Sequence, residues 1–299
     1  MASPLIPEAN QAVYTIVRTL QDGRPEGLVV DEVIKGGSMG HGTTVPGDYD
    51  IDIVIYSRSV DPQELARNGP RRWLKIFAEH LEERNPGKLW DKEYLPHAFR
   101  FNFERKIKVD MLISPFWQRS SDLYRFLQER LSARERFNFS MSASKWQVDF
   151  FKDQPNQVKE FIRRAKAWRN KKWAGQAGKP KSYLLSVIVL RAYERAKGKG
   201  DTYIAWNTTA EVKTIVHRHQ SADIYWEEYY RKQDYPSLFP QYTPRIVDPA
   251  NPSNNLHETG ISGPSNTKAN DYGEGGGRWD NFVRFVDSLD LTKSVDEIH

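Results

Sequence analysis

Residues 36–52 read GGSMGHGTTVPGDYDID, and the apolar residues IVIY follow at 53–56. Side chains alternate between the two faces of a strand, so Asp50 and Asp52 are expected on one face and the isoleucines that follow them on the other. Two neighbouring carboxylates repel each other unless a cation lies between them. Magnesium suits such oxygen ligands and shares them with substrate phosphates, with manganese as an alternative ion. The stretch therefore predicts a strand that carries a divalent-metal site, and it indicates nucleotidyl transfer.

The glycines in front of this strand form the second half of the pattern. A turn at Gly36 and Gly37 lets backbone N–H groups approach phosphate oxygens, and Ser38 adds a hydroxyl. Each half alone is common, because a single Asp-x-Asp is usually a solvated strand edge and a single Gly-Gly-Ser is usually a loop. Together, with an apolar strand behind them, they favour a phosphate site beside a metal site.

A third acidic residue, Asp110, lies inside an apolar segment. Residues 97–103 and 106–114 have the pattern of two strands, and the connection Glu104-Arg105 is short enough for a hairpin. An acid within an apolar strand is costly unless it has a partner. A role as a metal ligand, on a strand adjacent to the Asp-x-Asp strand, would provide one. The alternative is an edge-strand acid that faces water.

The composition describes a folded protein without thiol chemistry. The chain has 299 residues, 38% hydrophobic and 12% aromatic, which is enough for one large or two ordinary domains. Cysteine is absent, and this excludes disulfides, cysteine nucleophiles and structural zinc held by thiolates. No run approaches the roughly 20 apolar residues of a membrane span, and the first residues lack a signal pattern. We expect no membrane partner and a cytoplasmic location, with the nucleus as an alternative.

Basic residues concentrate in one part of the chain. The net charge is +5, and residues 163–181 contain eight basic residues and no acidic one. Such a block attracts polyanions, either nucleotide triphosphates or a nucleic-acid backbone. The alternative is an ordinary solvated helix face.

The hydrophobic pattern predicts strands mainly in the first half of the chain and helices in the second. In the first half it predicts a helix at 8–21, strands at 28–35 and 50–56, and a helix at 61–84. In the second half it predicts helices at 145–154, 156–173, 182–196, 207–232 and 279–289. Residues 233–278 are rich in Pro, Gly, Asn and Ser, so we expect a loop with a mobile stretch at 257–277.

The signature at 36–52 resembles that of the 2′-5′-oligoadenylate synthases, which share the nucleotidyltransferase superfamily with cyclic GMP-AMP synthase and its animal relatives. Further segments resemble the same family in the same order: 109–112, 146–168, 182–195, 244–255 and 275–279. The resemblance implies an α+β, bilobal nucleotidyltransferase fold. A catalytic lobe with a mixed β-sheet and an N-terminal helix would occupy residues 1–150, and a helical C-terminal lobe residues 151–299.

The resemblance also implies roles at matching positions. Asp50, Asp52 and Asp110 would be the catalytic residues and would hold two magnesium ions during attack of a ribose hydroxyl on an α-phosphate. Nucleotide-binding roles would fall to Gly37, Ser38, Lys166, Ser182 and Tyr183, with Lys166 on phosphate and Tyr183 stacked on a base. Lys35 and Lys152 match positions that the family uses to bind double-stranded RNA.

Three positions depart from the family pattern. His41 replaces the lysine that is usual between two signature glycines, and Gln157 stands where an RNA-contacting lysine is expected. Ser182 replaces the glutamine of oligoadenylate synthases, and the pair Ser182-Tyr183 is more similar to cyclic GMP-AMP synthase. The zinc module of that enzyme needs cysteines, so DNA sensing through such a module is excluded.

Three hypotheses follow. The first is an enzyme of innate immunity that is activated by double-stranded RNA and makes 2′-5′-linked oligoadenylate from ATP as a second messenger. The second is a related receptor that makes a cyclic dinucleotide from ATP and GTP. The third is a non-catalytic RNA-binding homologue, which the presence of all three acids disfavours.

Overall fold

The computed structural model describes residues 5–22, 25–45, 50–173, 176, 178–200, 202–262 and 279–298. The signature residues 46–49, the predicted mobile residues 263–277 and the glycines at 275–277 therefore lie outside the described residues. The chain divides into two compact units, Met1–Lys152 and Asp153–His299. This division falls two residues after the boundary that the sequence predicts.

The first unit combines helices with one five-stranded sheet. Its helices are α1 (Leu5–Asp22), α2 (Gly37–His41), α3 (Pro62–Asn68), α4 (Arg71–Arg84), α5 (Ser120–Arg130), α6 (Ala133–Arg136) and α7 (Ser144–Lys152). Its strands are β1 (Glu32–Lys35), β2 (Asp50–Ser57), β3 (Leu89–Tyr94), β4 (Phe99–Phe103) and β5 (Ile107–Pro115). The strand order is β1-β2-β5-β4-β3, and only β2 and β5 run parallel. The mixed sheet and its helices confirm the predicted α+β class.

The central strands are amphipathic in the way that the sequence predicts. Ile51, Ile53, Val109 and Met111 are buried on one face, while the acidic side chains alternate with them on the other. Burial of these apolar side chains fixes the register, because a one-residue slip would carry them to the opposite face. The core thus decides which way the three aspartates point.

Three predictions for this unit are wrong in detail, and one strand was not predicted. The helix expected at 61–84 is two helices, since Gly69 has φ +69° and Pro70 follows it. The strand expected from residue 28 begins at Glu32. The glycine turn is the start of the short helix α2, and β3 was not predicted because its residues after Leu89 are exposed and charged or aromatic without clear alternation.

The second unit is mainly helical but also contains a sheet. Its helices are α8 (Asn156–Lys172), α9 (Ser182–Lys197), α10 (Ile204–His217), α11 (Leu256–Thr259), α12 (Asp280–Val286) and α13 (Val295–Ile298). Its strands are β6 (Asp223–Ile224), β7 (Arg245–Asp248) and β8 (Asn251–Asn255), in that order in the sheet. No helix among the described residues is long and apolar enough to cross a membrane.

The sheet corrects two predictions for the second unit. The helix expected at 207–232 ends at His217, because Ala222 and the following residues turn into β6. The loop expected at 233–278 contains β7, β8 and α11. Proline content predicted a loop there, yet Ile246 and Val247 are fully buried, and burial of a short apolar pair outweighs the flanking turn residues.

Candidate active site

Asp52 and Asp110 lie directly beside each other on the parallel strands β2 and β5. Their Cα atoms are register partners, and two residues toward the start of β2 the partners are Asp50 and Lys108. Side chains two residues apart on one strand share a face. The three acidic side chains therefore lie on one face of the sheet, where their negative charges face one another.

Asp52 is the acid of this group whose pKa is raised by its surroundings. Burial, together with the charges of Asp110 and Asp50, raises its pKa from 3.8 to about 7. Lys108 and Arg100 oppose the shift without cancelling it. A carboxylate that is this costly to ionise is stabilised by any cation that comes close to it.

Two basic side chains already occupy the flanks of the acidic row. Lys108 Nζ lies 3.0 Å from Asp50 Oδ1. Arg100 on β4 donates from Nε to Asp110 Oδ1 at 2.7 Å and from Nη2 to Asp110 Oδ2 at 2.8 Å. The hydrogen bond to Asp110 raises the pKa of Arg100 above its ordinary value. Two of the three acids are thus paired with basic residues of the chain itself.

The start of α2 lies against Asp52. The Gly36 N–H donates to the Asp52 carbonyl oxygen at 2.8 Å, and Gly37 has φ +52°. A Cβ at Gly37 would lie 1.9 Å from Asp52 Oδ2. The first N–H groups of any helix have no partner within the helix, so the turn at Gly37 and Ser38 brings free donors close to a carboxylate row.

The acids fit a divalent cation by chemistry and placement, but they are not arranged as a finished metal centre. Among the described residues, no three His, Cys, Asp or Glu side chains are grouped closely enough to hold a metal ion. The fit is supported by the register that places Asp52 directly beside Asp110, since a hard cation between two carboxylates binds their oxygens and relieves their repulsion. Asp50 is paired with Lys108 and Asp110 with Arg100, so a metal ion at these acids has to compete with both basic side chains.

The two lysines predicted to bind RNA lie at the ends of elements of the first unit. Lys35 is the last residue of β1 and is exposed. Lys152 is the last residue of α7 and is also exposed. His41 does not take the place of a phosphate-binding lysine: it is buried and stacks on Phe151 of α7, with ring centroids 4.6 Å apart.

Lys166 and Ser182 belong to the second unit, where α8 packs on α9. Lys166 is 4% exposed, so it lies deeper than a surface lysine. Arg169 follows it by three residues on the same side of α8 and donates from Nη1 to Ser182 Oγ at the start of α9. Arg169 is therefore directed to the region where α9 begins, and Lys166 lies one turn before it on α8.

Tyr183 is held by its hydroxyl, which donates to Asp248 Oδ1 at 3.0 Å. Asp248 is fully buried at the end of β7 and also accepts from the Ala250 N–H at 2.9 Å and from Asn254 Nδ2 at 3.3 Å. The hydrogen bonds fix the carboxylate, and the carboxylate in turn restricts the Tyr183 ring.

Sequence reasoning missed four residues that contact the candidate residues: Arg100, Lys108, Arg169 and Asp248. Lys108 had a usable signal, because it lies two residues before Asp110 on the same strand face. Arg100 did not, because the two-residue connection predicted at Glu104-Arg105 would pair it with Val109, and the observed three-residue connection places it opposite Asp110. The spacing of three from Lys166 pointed to Arg169 on the same helix face. Asp248 had no such signal, since its contact with Tyr183 joins residues 65 positions apart.

Two family models match the chain in succession. The model described as "Nucleotidyltransferase domain" matches residues 15–114. The model described as "2'-5'-oligoadenylate synthetase 1, domain 2, C-terminus" matches residues 117–263. The first match contains the three acids, and the second contains Lys152, Lys166, Ser182 and Tyr183.

Curated relatives and solved structures agree with these matches. The chain is 27% identical over 261 residues to 2'-5'-oligoadenylate synthase 1A of Rattus norvegicus, covering 76% of this chain and 71% of the relative. It is 25% identical over 263 residues to the "Inactive 2'-5'-oligoadenylate synthase 1B" of the same species, covering 75% and 67%. The fold is similar to that of CdnC from E. coli MS115-1, with a TM-score of 0.62, 17% identity, and coverage of 94% of this chain and 81% of that one.

Proposed function

Since the chain belongs to the nucleotidyltransferase family that includes the 2′-5′-oligoadenylate synthases, we propose that it joins ATP units through 2′-5′ linkages when double-stranded RNA is bound. The proposed product is a second messenger of innate immunity. The observation that carries the proposal is the register of Asp52 beside Asp110, with Asp50 on the same face and Gly37 against Asp52. One relative has the word "inactive" in its name, so activity has to be tested directly.

Asp50, Asp52 and Asp110 are the residues that hold magnesium in this proposal, with manganese as an alternative. When bound, two such ions lower the pKa of an attacking ribose hydroxyl and stabilise the leaving pyrophosphate. Asp110 is the acid proposed to accept the hydroxyl proton. Gly37 leaves the space that the Asp52 carboxylate needs, so that metal and phosphate can be bound side by side.

The remaining candidate residues bind and orient the nucleotides. The Ser38 hydroxyl and the N–H groups that begin α2 donate to the donor triphosphate. Lys166 offsets phosphate charge, and Ser182 lies at the start of the helix that carries Tyr183. Tyr183 stacks on a base, and its hydrogen bond to Asp248 restricts the ring before a nucleotide arrives. Positioning of this kind accounts for much of the rate in phosphoryl chemistry.

Activation by double-stranded RNA is proposed to act through Lys35 and Lys152. Both are exposed and can contact phosphates, which dominate recognition of duplex RNA together with shape and 2′-hydroxyls. RNA activates only if it binds the active arrangement of the acids more tightly than the inactive one.

A cyclic dinucleotide is the second candidate product, and Ser182 favours it. The position accepts a hydrogen bond from Arg169 where oligoadenylate synthases have a longer glutamine amide. A shorter side chain at this place changes the room for the acceptor nucleotide, so the linkage of the product has to be measured.

The experiment is incubation of the full chain with ATP, with GTP and with both, each with and without duplex RNA. Chromatography before and after linkage-specific nucleases identifies the product. RNA-dependent oligomers from ATP that resist a 3′-5′-specific nuclease are expected. A cyclic product from ATP and GTP would establish the second candidate instead, and absence of product from folded protein under all conditions would contradict both.

A further inference from the structure

Arg100 lies in the row of charged residues that crosses the sheet at Asp52. Asp52 on β2 is the register partner of Asp110 on β5, and Asp110 is that of Arg100 on β4. Arg100 in turn is opposite Glu93 on β3. Arg100 is thus the one basic residue among these four register partners, and the other three are carboxylates.

The contact between Arg100 and Asp110 uses both oxygens of the carboxylate. Nε and Nη2 donate to Oδ1 and Oδ2 at 2.7 and 2.8 Å, the two-pronged geometry that guanidinium and carboxylate form best. Both carboxylate oxygens are therefore occupied as hydrogen-bond acceptors. A metal ion that binds Asp110 has to compete with this pair for the same oxygens.

The fold does not require this ion pair. The β4–β5 ladder is set by backbone pairing from Phe99 to Phe103, and the phenylalanines of β4 are buried on the opposite face. The Arg100 side chain is 34% exposed while that of Asp110 is 16% exposed. The guanidinium consequently has solvent into which it can turn, whereas the carboxylate stays in place.

We propose that Arg100 is a latch: it pairs with Asp110 in the metal-free enzyme and releases it when a divalent cation binds. This inference rests on the proposed function, because it assumes that Asp110 is a metal ligand. The latch keeps the acidic row compensated without metal, and it makes metal binding an exchange of one cation for another. It agrees with the finding that no three His, Cys, Asp or Glu side chains among the described residues are grouped to hold a metal ion.

Of the two ion pairs that hold the acids, the pair of Arg100 with Asp110 is stronger than the pair of Lys108 with Asp50. Lys108 reaches Asp50 with a single ammonium, and the side chains are 39% and 53% exposed. Pairs as exposed as this contribute little. The bidentate pair at Asp110 is less exposed, so breaking it should change the affinity for a metal ion more than breaking the pair at Asp50.

The test measures binding of Mn²⁺ to the full chain without nucleotide or RNA, by electron paramagnetic resonance of the free ion. Arg100→Gln removes the guanidinium, and we expect roughly five- to tenfold tighter binding, the size expected for loss of one partly exposed charge-assisted pair. Arg100→Lys keeps the charge but loses the bidentate geometry. We expect tighter Mn²⁺ binding here too, by roughly two- to threefold, which is half of the change for Arg100→Gln on a logarithmic scale.

Arg58→Gln is the matched control. Arg58 pairs with Asp31 through Nε at 2.6 Å beyond the other end of β2, so its loss should leave Mn²⁺ affinity unchanged. Unfolding curves of each variant establish that it is folded. Arg100→Lys also distinguishes the latch from a simple effect of positive charge near the acids. If only the charge mattered, this variant would bind Mn²⁺ as tightly as the wild type.

Asp110→Asn separates failure of the latch from failure of the proposed function. If this variant binds Mn²⁺ as tightly as the wild type, Asp110 is no ligand and the proposed metal site is wrong. If Asp110→Asn weakens binding but Arg100→Gln and Arg100→Lys leave it unchanged or weaken it, Arg100 orients a bound ligand and the latch is overturned.

Discussion

At Gly37 the backbone and the Asp52 carboxylate meet without space for a side chain. The residue has φ +52°, which only glycine adopts without cost. A Cβ built there would lie 1.9 Å from Asp52 Oδ2 and 3.0 Å from its Cγ. The conformation and the contact together tie the first turn of α2 to the central acid.

Gly37→Ala should lower both stability and activity. We expect a loss of at least about 2 kcal/mol in the free energy of unfolding, from left-handed backbone strain of about 1 kcal/mol and the displaced carboxylate. Gly87→Ala is the control, since Gly87 has φ +71° with nothing within 4 Å of a Cβ. It should cost about 1 kcal/mol. Urea unfolding of both variants measures the difference, and equal losses would contradict the described contact.

Two histidines of the second unit, His219 and His257, are in contact, and the pKa of His257 is shifted far enough to affect stability. His219 Nδ1 and His257 Nε2 lie 3.1 Å apart, and both rings stack on Trp279 with centroids 4.6 and 4.8 Å from it. Burial, together with the neighbouring His219, lowers the pKa of His257 to about 4. The folded protein therefore binds fewer protons than the unfolded chain between about pH 4 and 6.5.

The stability of the wild type should fall as the pH drops through this window. A depressed folded-state pKa gives stability that is present above the unfolded value of 6.5 and is lost toward about 4. His257→Phe keeps a ring for stacking and removes the titration. The wild type should lose about 1 to 3 kcal/mol more than this variant between pH 7 and 4. Denaturant unfolding at both pH values measures this, and identical pH slopes would refute the assignment.

At the scale of elements, α2 is held between β1 and α7. A Cβ at Gly40 would lie 2.2 Å from the Lys35 carbonyl oxygen and 2.8 Å from Val148 Cγ2. His41 continues the contact by stacking on Phe151 at an interplanar angle of 25°. The helix that carries Ser38 is therefore fixed to α7 by close packing.

His41→Lys should destabilise the protein although lysine is the usual residue of the family signature here. A lysine in place of a side chain that is 4% exposed buries an ammonium and loses the ring contact. We expect a loss of at least about 2 kcal/mol. His41→Phe keeps the stack and should cost less than half as much. Thermal unfolding compares the two variants, and a stable, active His41→Lys would place residue 41 in the phosphate site instead.

The strands differ in how well they could be predicted from the sequence. The aspartate strands and the hairpin follow from alternation and a short turn, so the predicted position of Asp110 on a strand adjacent to Asp50 and Asp52 agrees with the register. The short strands β6 to β8 were not predictable, because their pairing joins residues such as Asp223 and Arg245 that are distant in sequence. The roles of the three acids stay predictions.

At the scale of the whole molecule, the candidate residues fall into two units. The acids, Ser38 and both RNA-binding candidates belong to Met1–Lys152, whereas Lys166, Ser182 and Tyr183 belong to Asp153–His299. The sequence predicted these sets by resemblance, residue by residue. It did not predict their partners Arg100 and Asp248, because such pairings depend on which side chains the folded chain brings together.

Lys152→Glu should reduce RNA-stimulated activity far more than stability. Lys152 lies in the last turn of α7, as Lys197 does in the last turn of α9. Charge reversal at either place meets the same unfavourable helix dipole, about 0.3 to 1 kcal/mol. Lys197→Glu is therefore the control, and only Lys152→Glu should require more RNA for half-maximal product formation. Equal RNA dependence of the two variants would remove Lys152 from the RNA-binding surface.

The acidic row on β2 and β5 is proposed to support metal-dependent nucleotidyl transfer. The most direct measurement is magnesium-dependent product formation from ATP by Asp50→Ala, with duplex RNA present and RNA binding measured on the same sample. Asp22→Ala, which removes an exposed acid paired with Arg18 at 2.8 Å, is the control. Asp50→Ala is expected to bind RNA like the wild type but to form no product, while Asp22→Ala forms product normally. Product formation by Asp50→Ala at the wild-type rate would contradict the proposal.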